Sequence, residues 1–570
     1  MEYAATQDVD TLFVDAVHAR EEGDAHKALA LLGHALALDP GHRPSRYLMG
    51  HFLAAKGEHE AALAHLLVAC DGTPPFLPAR HEFSQALLAL ERWKDALDFS
   101  TETLRVAPSA QAHYYRGTAL AGLERFEEAV ESFDRALAIE PAHVHSLFNR
   151  ADAMYRRWKL QSPSEAYLHA ALAGFSSVVE LRPDMAKGHQ NLGFVLEKLN
   201  RLDESIASLD RSIALDPHNS MARYSLACSL IAKGEWTRGW VEMEHRFTGA
   251  QSDNHFARQH IAQPGNMAYH VLPRRQNPAW QGEPLAGKRI LLLSEGGFGD
   301  VIQFYRFVPA VVRMAAKVDV ILPRELQALL APDQEPPDLD GDYDFHCSLV
   351  SLPLALKARI DAIPGVGGYL KADPARVDHW RKRLGERRGP RVGLVWSGST
   401  VHTNDINRSM RLADLRPLLQ ADAEFVCLQK FVRDTDRKTL ASLPGLSFHG
   451  EQLDGFADTA ALCELMDLVI TVDTSMAHLA GAMGKPVWIM LPRAAEWRWM
   501  ADRADSPWYA GARLFRQHRQ GEWQPVVQRV AQALEQCFAS DLAPVVMPDS
   551  TRHPHRASID LRVDCGSSPQ

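Results

Sequence analysis

Six prolines punctuate the first part of the chain at a nearly constant interval. Pro40, Pro74, Pro108, Pro141, Pro183 and Pro217 each follow an apolar helical pattern, at spacings of 34, 34, 33, 42 and 34 residues. A period of this length belongs to helix-pair solenoids, in which a unit can bury its apolar face only against its neighbours. Proline ends each second helix, because its ring removes an amide donor and clashes with the preceding turn. The phrases "LALDP", "LAIEP", "VELRP" and "IALDP" therefore mark unit ends. Within "ALAGLERFEEAVESFDRALAIEP", Ala129 and Ala136 are the small residues where two helices touch, and Phe133 and Leu137 fill the space between them. About six units run to Pro217, and a seventh, "MARYSLACSLIAKGEWTRGWVEMEHRF", is expected as a cap or bridge. The 42-residue interval carries an insertion around "RRWKLQSPSEAY", expected as a longer inter-helix loop with Ser162-Pro163 at the next helix start.

These phrases resemble the tetratricopeptide repeat family, and the resemblance implies protein binding in a curved groove. Tyr114, Tyr115, Arg116, Asn149 and Arg150 fall on first helices, the side expected to line that groove. The structural alternative is that the repeats dimerise the chain or brace the rest of it.

At 570 residues the chain exceeds one core, since cores stop growing at roughly 250–300 residues. No apolar run reaches the roughly 18 residues of a membrane span. The N-terminus has early acids and no basic-then-apolar signal, so the expected location is the cytoplasm. Seven scattered cysteines lack a C-x-x-C pair, which argues for reduced buried thiols over zinc ribbons or disulfides. A formal net charge of -9 gives no electrostatic footprint for nucleic acid. The repeat histidines, among them His26, His34 and His42, show no pairing, and "DLDGDYD" lacks the glycine and terminal glutamate of a calcium loop, so no metal is expected.

After the repeats, taken as residues 1–247, comes a connection over 248–285 rich in Gln, Pro, Asn and Gly. The pattern then changes to short β-branched runs alternating with helices: "RILLLSEG", "VDVILP" and "DFHCSLVSLP", then "RVGLVWSG", "EFVCLQK", "LVITVDT" and "PVWIMLP". Runs apolar on both faces indicate parallel strands covered by helices. They form two Rossmann-like regions, 286–384 and 385–540, followed by an aperiodic tail over 541–570 expected to be disordered. Ligands in such sheets bind beyond the carboxyl ends of the strands.

The strand-end loops carry suitable groups. Asp473, Thr474 and Ser475 start a helix after "LVITV", where free amides and the helix dipole can seat a phosphate, with His478 one turn in. Asp473 or Thr474 could instead simply cap that helix. Ser397, Gly398 and Ser399 offer amides and hydroxyls after "RVGLVW", and Arg408 a guanidinium for a diphosphate. Gln429 and Asp458-Thr459-Ala460 complete a ring suited to a nucleotide. In "ILLLSEGGFGDVIQFYRF" the turn Gly296, Gly297, Gly299 allows close backbone approach, but a dinucleotide fingerprint fails at Ile302. Trp497, Trp499, Trp508 and Tyr509 read better as core than as a cleft lining.

"EGGFGDVIQFYRFVPAV", "WSGSTVHTNDINRSMRL", "LCELMDLVITVDT", "DTSMAHLAGAMGKPVWIMLP" and "EWRWMADRADSPWYAGARLFRQ" resemble heptosyltransferase-like glycosyltransferases of the GT-B fold, in the branch where that domain follows tetratricopeptide repeats. The likeness covers about 278–534. It implies an α solenoid followed by two Rossmann-like lobes, a nucleotide-sugar donor held by Asp473, Thr474, His478 and Arg408, and Asp300 as general base. Arg408 stands where heptosyltransferases carry lysine, so the donor is not carried over. An alcohol needs a positioned base, and a leaving diphosphate held by Arg408 and the helix start at Thr474 needs no metal or cofactor. Such a displacement inverts the anomeric centre. Asp300 could equally cap the helix expected over 301–313. The expected function is transfer of a sugar to a protein hydroxyl, flagellin being one acceptor of repeat-bearing relatives. The alternatives are a lipid or polysaccharide acceptor, and a non-catalytic repeat scaffold.

Overall fold

The computed structural model describes residues 8–72, 74–247, 277–335, 337, 341–402 and 404–539. The greater part of the expected linker, 248–276, and the tail 541–570 lie outside them, as do residues 338–340 of the "DLDGDYD" turn. Fourteen α-helices, α1 to α14, run pairwise from Val9 to Met243. Most first helices begin after a unit-ending proline and most second helices start three or four residues after the first ends, as the repeat pattern requires.

Packing follows the small-to-large pairing. In the fourth pair, α7 (Ala110–Gly122) and α8 (Phe126–Ile139), Ala129, Phe133 and Ala136 are fully buried, and Leu137 is half-buried. Gly117 makes the close approach, since a Cβ there would lie 2.6 Å from the Phe133 ring. Of the groove candidates, Tyr115 is buried at 7%, while Asn149 donates to Thr118 Oγ1 at 3.0 Å and Arg150 pairs with Asp134 at 2.6 Å.

The fifth pair corrects one expectation. Its extra residues do not form a long loop: α9 (Val144–Leu160) and α10 (Glu165–Leu181) have 17 residues each, against 13 in α7 and 14 in α8. The loop between them, 161–164, is one residue longer than its counterpart 123–125, and α10 begins at Glu165 after Ser164. The added turn is helical because it has something to bury: Trp158 is 2% exposed in the local core, and Arg157 lies 4.3 Å over the Tyr167 ring.

The carboxyl-terminal region holds two parallel sheets. The first has order β2-β1-β3, from Arg289–Leu293 (β1), Lys317–Ile321 (β2) and Phe345–Ser348 (β3). The second has order β6-β5-β4-β7-β8-β9. Its strands are Arg391–Val395 (β4), Glu424–Cys427 (β5), Leu446–Phe448 (β6), Leu468–Val472 (β7), Val487–Leu491 (β8) and Ala512–Arg516 (β9). The seven expected strands are present; β6 and β9 were not foreseen. Every residue of β4, β7 and β8 is buried, the signature of strands covered on both faces.

One continuous core joins these parts. It takes Trp236 and Trp240 from α14 (Trp236–Met243), Ile290 and Leu292 from β1, and Val469 and Ile489 from one face of the second sheet. Trp236 stacks on Trp508 with ring centroids 4.9 Å apart, and Trp240 meets Phe304 and Trp497 edge-on. Just beyond α14, buried Arg246 forms a bidentate pair with Glu295 at 2.7 and 2.9 Å, at the end of β1. The seventh unit is therefore a bridge. The aromatic residues Trp497, Trp499, Trp508 and Tyr509 are core, none more than 6% exposed. Cys70, Cys228, Cys347, Cys427 and Cys463 are free and buried.

Candidate functional site

The second sheet starts at its centre with β4, runs outward through β5 and β6, then returns to the other side of β4 with β7, β8 and β9. The reversal leaves a crevice beyond the carboxyl ends of β4 and β7, where open parallel sheets bind their ligands. The loop Trp396–Ser399 leaves β4 there and Asp473–Thr474 leaves β7. Thr474 is the N-cap of the helix Ser475–Ala482; its hydroxyl accepts from the Met476 amide at 3.3 Å. Its own backbone is extended, so the first amides of the helix face outward.

Arg408 ties the two loops together. Its Nη1 donates to the Asp473 carbonyl at 2.9 Å, and a Cβ on Gly398 would come within 2.7 Å of its guanidinium. Gly398 donates to Ser409 Oγ at 3.0 Å, and Arg433 donates to the Gly398 carbonyl at 3.0 Å. Gln429 accepts from the Trp396 and Ser397 amides at 2.7 and 3.2 Å, and donates to Ser397 Oγ at 3.1 Å. It thus shapes the β4 loop. Ser399 is exposed at the loop's outer end.

The turn after β1 meets this crevice directly. Gly297 is the N-cap of the helix Phe298–Tyr305, whose third residue, Asp300, accepts from the Gly297 amide at 2.8 Å. The expected longer helix is broken at Arg306–Phe307, with a second one over Val308–Met314. Gly296 has φ +81°, a left-handed conformation that glycine adopts without strain. At Gly299 a Cβ would fall 2.7 Å from the His478 ring and 3.5 Å from Ser475 Cα, so only glycine lets the two helix starts touch.

Arg498, which sequence reading passed over, bridges the two sheets. It donates to Asp300 Oδ1, to Gln303 Oε1 at 3.0 Å and to Glu496 Oε2 at 3.4 Å. Its guanidinium also lies 4.4 Å over the Trp497 ring. A second buried arginine, Arg306, is enclosed by the rings of Tyr369, Trp508 and Tyr509 and donates to the Trp508 carbonyl at 2.8 Å.

These charges set the protonation of the crevice. Burial, then the Glu496 carboxylate, push Asp473 up to about 6. Burial, then Arg498, Arg306 and Arg408, hold His478 well below the usual histidine range, so it stays neutral. Its Nδ1 shares a 2.8 Å hydrogen bond with the Tyr509 hydroxyl, and its ring stacks on Trp499. Burial would raise Glu496, but Arg498, Lys198, His402 and Arg408 outweigh it and keep that carboxyl below its ordinary value. The crevice thus offers amides, arginines and a neutral imidazole, with carboxylates at its edge.

Asp458 and Thr459 are engaged one turn away. Asp458 accepts from the Asp454 amide at 2.9 Å and from Arg376 at 2.7 Å, and Thr459 donates to the Gly455 carbonyl at 3.0 Å. Ala460 is fully buried in the same helix. The structure therefore brings Gly296, Gly297, Gly299, Asp300, Ser397, Gly398, Arg408, Gln429, Asp473, Thr474, Ser475 and His478 to one crevice. Arg498, Gln303 and Glu496 were missed there, although "EWRWM" held two of them.

Tetratricopeptide repeat family models match residues 19–69, 110–143 and 186–219. Protein FlbA of Caulobacter vibrioides is 26% identical over 551 residues, covering 90% of this chain and 85% of FlbA. The Hsp70-Hsp90 organizing protein of Triticum aestivum is 35% identical over 115 residues, 20% of this chain and 18% of that protein. Among solved structures, a tetratricopeptide repeat protein from Parabacteroides merdae has a TM-score of 0.36 at 15% identity, covering 43% of this chain and 94% of its own. The amino-terminal region of this chain is a tetratricopeptide repeat solenoid, and the likeness to FlbA extends well beyond it into the parallel-sheet region.

Proposed function

We propose that the chain is a glycosyltransferase of the two-lobed GT-B kind, moving a sugar from a nucleotide-sugar to a hydroxyl of a protein held by the repeats. One observation carries the reading. The glycine turn after β1 and the helix start after β7 are in contact, so a carboxylate from one sheet and an anion seat on the other share one crevice. The diphosphate would lie on the amides at Thr474 and Ser475 with Arg408 beside it. The acceptor oxygen would attack the anomeric carbon as its bond to the diphosphate breaks, the proton passing to Asp300. Arg498 keeps that carboxylate oriented in the absence of substrate.

Asp300→Asn is expected to lower transfer by ~100-fold or more, while binding of nucleoside diphosphates, measured by calorimetry, changes little. The donor is sought first by thermal shift with a panel of nucleoside diphosphates and their sugar conjugates. An unchanged turnover in Asp300→Asn removes the base assignment.

A second reading, a repeat scaffold without turnover, is favoured by the fact that both Asp300 oxygens are already engaged, by Arg498 and by the Gly297 amide. Failure of every nucleotide to raise the melting temperature would select it.

A further inference from the structure

The lengthened fifth helix pair does more than interrupt the repeat period. Its tip returns to the second sheet. Pro163 packs against Gly521, where a Cβ would come within 3.2 Å of the proline ring, and Glu165 pairs with Arg493 at 3.7 Å. α9 also touches the short helix Asp405–Arg408, and Asn200, after α11 (Ala186–Lys198), donates to Asp502 at 3.5 Å. The solenoid is thus fastened to the second sheet at its root and again at the fifth pair. Between the two attachments, α9 touches the helix that carries Arg408 and Lys198, at the end of α11, lies within electrostatic reach of Glu496, so these two helices border the crevice as a third wall.

That wall is basic in a chain whose formal charge is -9. Arg156, Lys159 and Lys187 surround Asp152, and Lys198, whose ammonium pairs with Glu197 at 2.8 Å, also lies within electrostatic reach of Lys159 and of Glu496. Four cations thus face two carboxylates on the repeat side. Half-buried Lys159 makes no hydrogen bond or close ion pair among the described residues. Burial, then the like charges of Lys198 and Arg156, outweigh the attraction of Asp152 and hold its ammonium below the usual lysine range. A small cavity in the same interface, lined in part by Glu197, Lys198, Asn200, Arg493 and Arg516, continues the basic surface toward the second sheet.

We propose that the wall formed by α9 and α11 binds an acidic stretch of the acceptor polypeptide, delivering the adjoining hydroxyl to the crevice at Asp300 and Thr474. The delivery rests on the transferase reading; the binding does not. The charge complement is the argument, because opposite potentials steer and select partners even where single ion pairs add little affinity.

The test uses the full chain and two fluorescein-labelled peptides of equal length and serine content, one with aspartate and glutamate around the serine, the other with lysine at those positions. Fluorescence anisotropy should show the acidic peptide binding at least ~10-fold more tightly, with salt weakening it. The double charge reversal Lys159→Glu, Lys187→Glu should abolish that preference. The milder pair Lys159→Gln, Lys187→Gln should reduce it in a protein whose melting temperature matches the parent. Equal binding of the two peptides, or an unchanged preference in the glutamine pair, overturns the proposal. Nucleoside diphosphate binding is measured on the same samples. Nucleotide binding without peptide selectivity leaves the transferase reading and removes this surface, and the reverse outcome does the opposite.

Discussion

Arg498 is one side chain with three partners, two on the helix after β1 and one in its own turn after β8, and it explains why Asp300 sits where it does. The aspartate accepts from the Gly297 amide at the helix start and meets a guanidinium from across the crevice. Asp473, by contrast, faces the crevice with its charge opposed. Its carboxyl, raised to about 6 by burial and then by Glu496, keeps between about pH 3.8 and 6 a proton that the unfolded chain has already released. Below the ordinary value of 3.8 both states are protonated and nothing is lost; as pH rises the penalty grows, and it is complete above about 6. Asp473→Asn should therefore stabilise the protein by about 3 kcal/mol at neutral pH and have little effect near pH 4. Urea midpoints of variant and parent at the two pH values check this. Asp300, Asp473 and Arg408 were legible in the sequence because each follows a short apolar strand that announces itself. Arg498 was not, because it lies in a short turn between tryptophans whose bulk suggested only packing.

Among the elements, the repeats were the most legible. Glycine recurs sixteen residues before a large apolar residue, with Gly50 against Leu66, Gly117 against Phe133 and Gly193 against Leu209, each leaving 2.6 Å for an added Cβ. Gly117→Leu must displace a fully buried ring between two helices. The expected loss is about 1–3 kcal/mol, the ordinary range for overpacking, despite leucine's better helix propensity. Thermal unfolding followed by circular dichroism measures it. The fifth pair was misread because proline at Pro163 suggests a loop, whereas the additional residues have an apolar partner in Trp158 and continue both helices. Strand β6 has only three residues, and β9 is an edge strand with exposed Arg513, so neither shows an apolar run long enough to recognise. The sheet orders themselves are not written in the sequence; they arise from which strand edges remain free after the first crossovers.

For the whole molecule, the boundary drawn after residue 247 divides the composition but not the core. Trp236 and Trp240 belong to the same apolar cluster as β1 and the second sheet, and the Arg246–Glu295 pair crosses the boundary. Deleting residues 1–245 should therefore yield an insoluble or unfolded product. Deleting residues 1–141, which removes the first four pairs, should leave a protein with a cooperative melt, because each repeat leans mainly on its neighbours. Solubility, a melting curve and nucleotide binding of the two truncations make the comparison.

The double attachment of the solenoid also divides it mechanically. Units from the fifth pair onward are clamped to the sheets, while α1 to α8 project past the clamp like a boom. Adding or removing a pair on the projecting side would shift its far end by one helix layer or more, roughly 10 Å each, without altering the crevice. On the transferase reading proposed above, such a design separates reach from chemistry: related chains could grasp cargo at different distances while the same fixed crevice serves at the base.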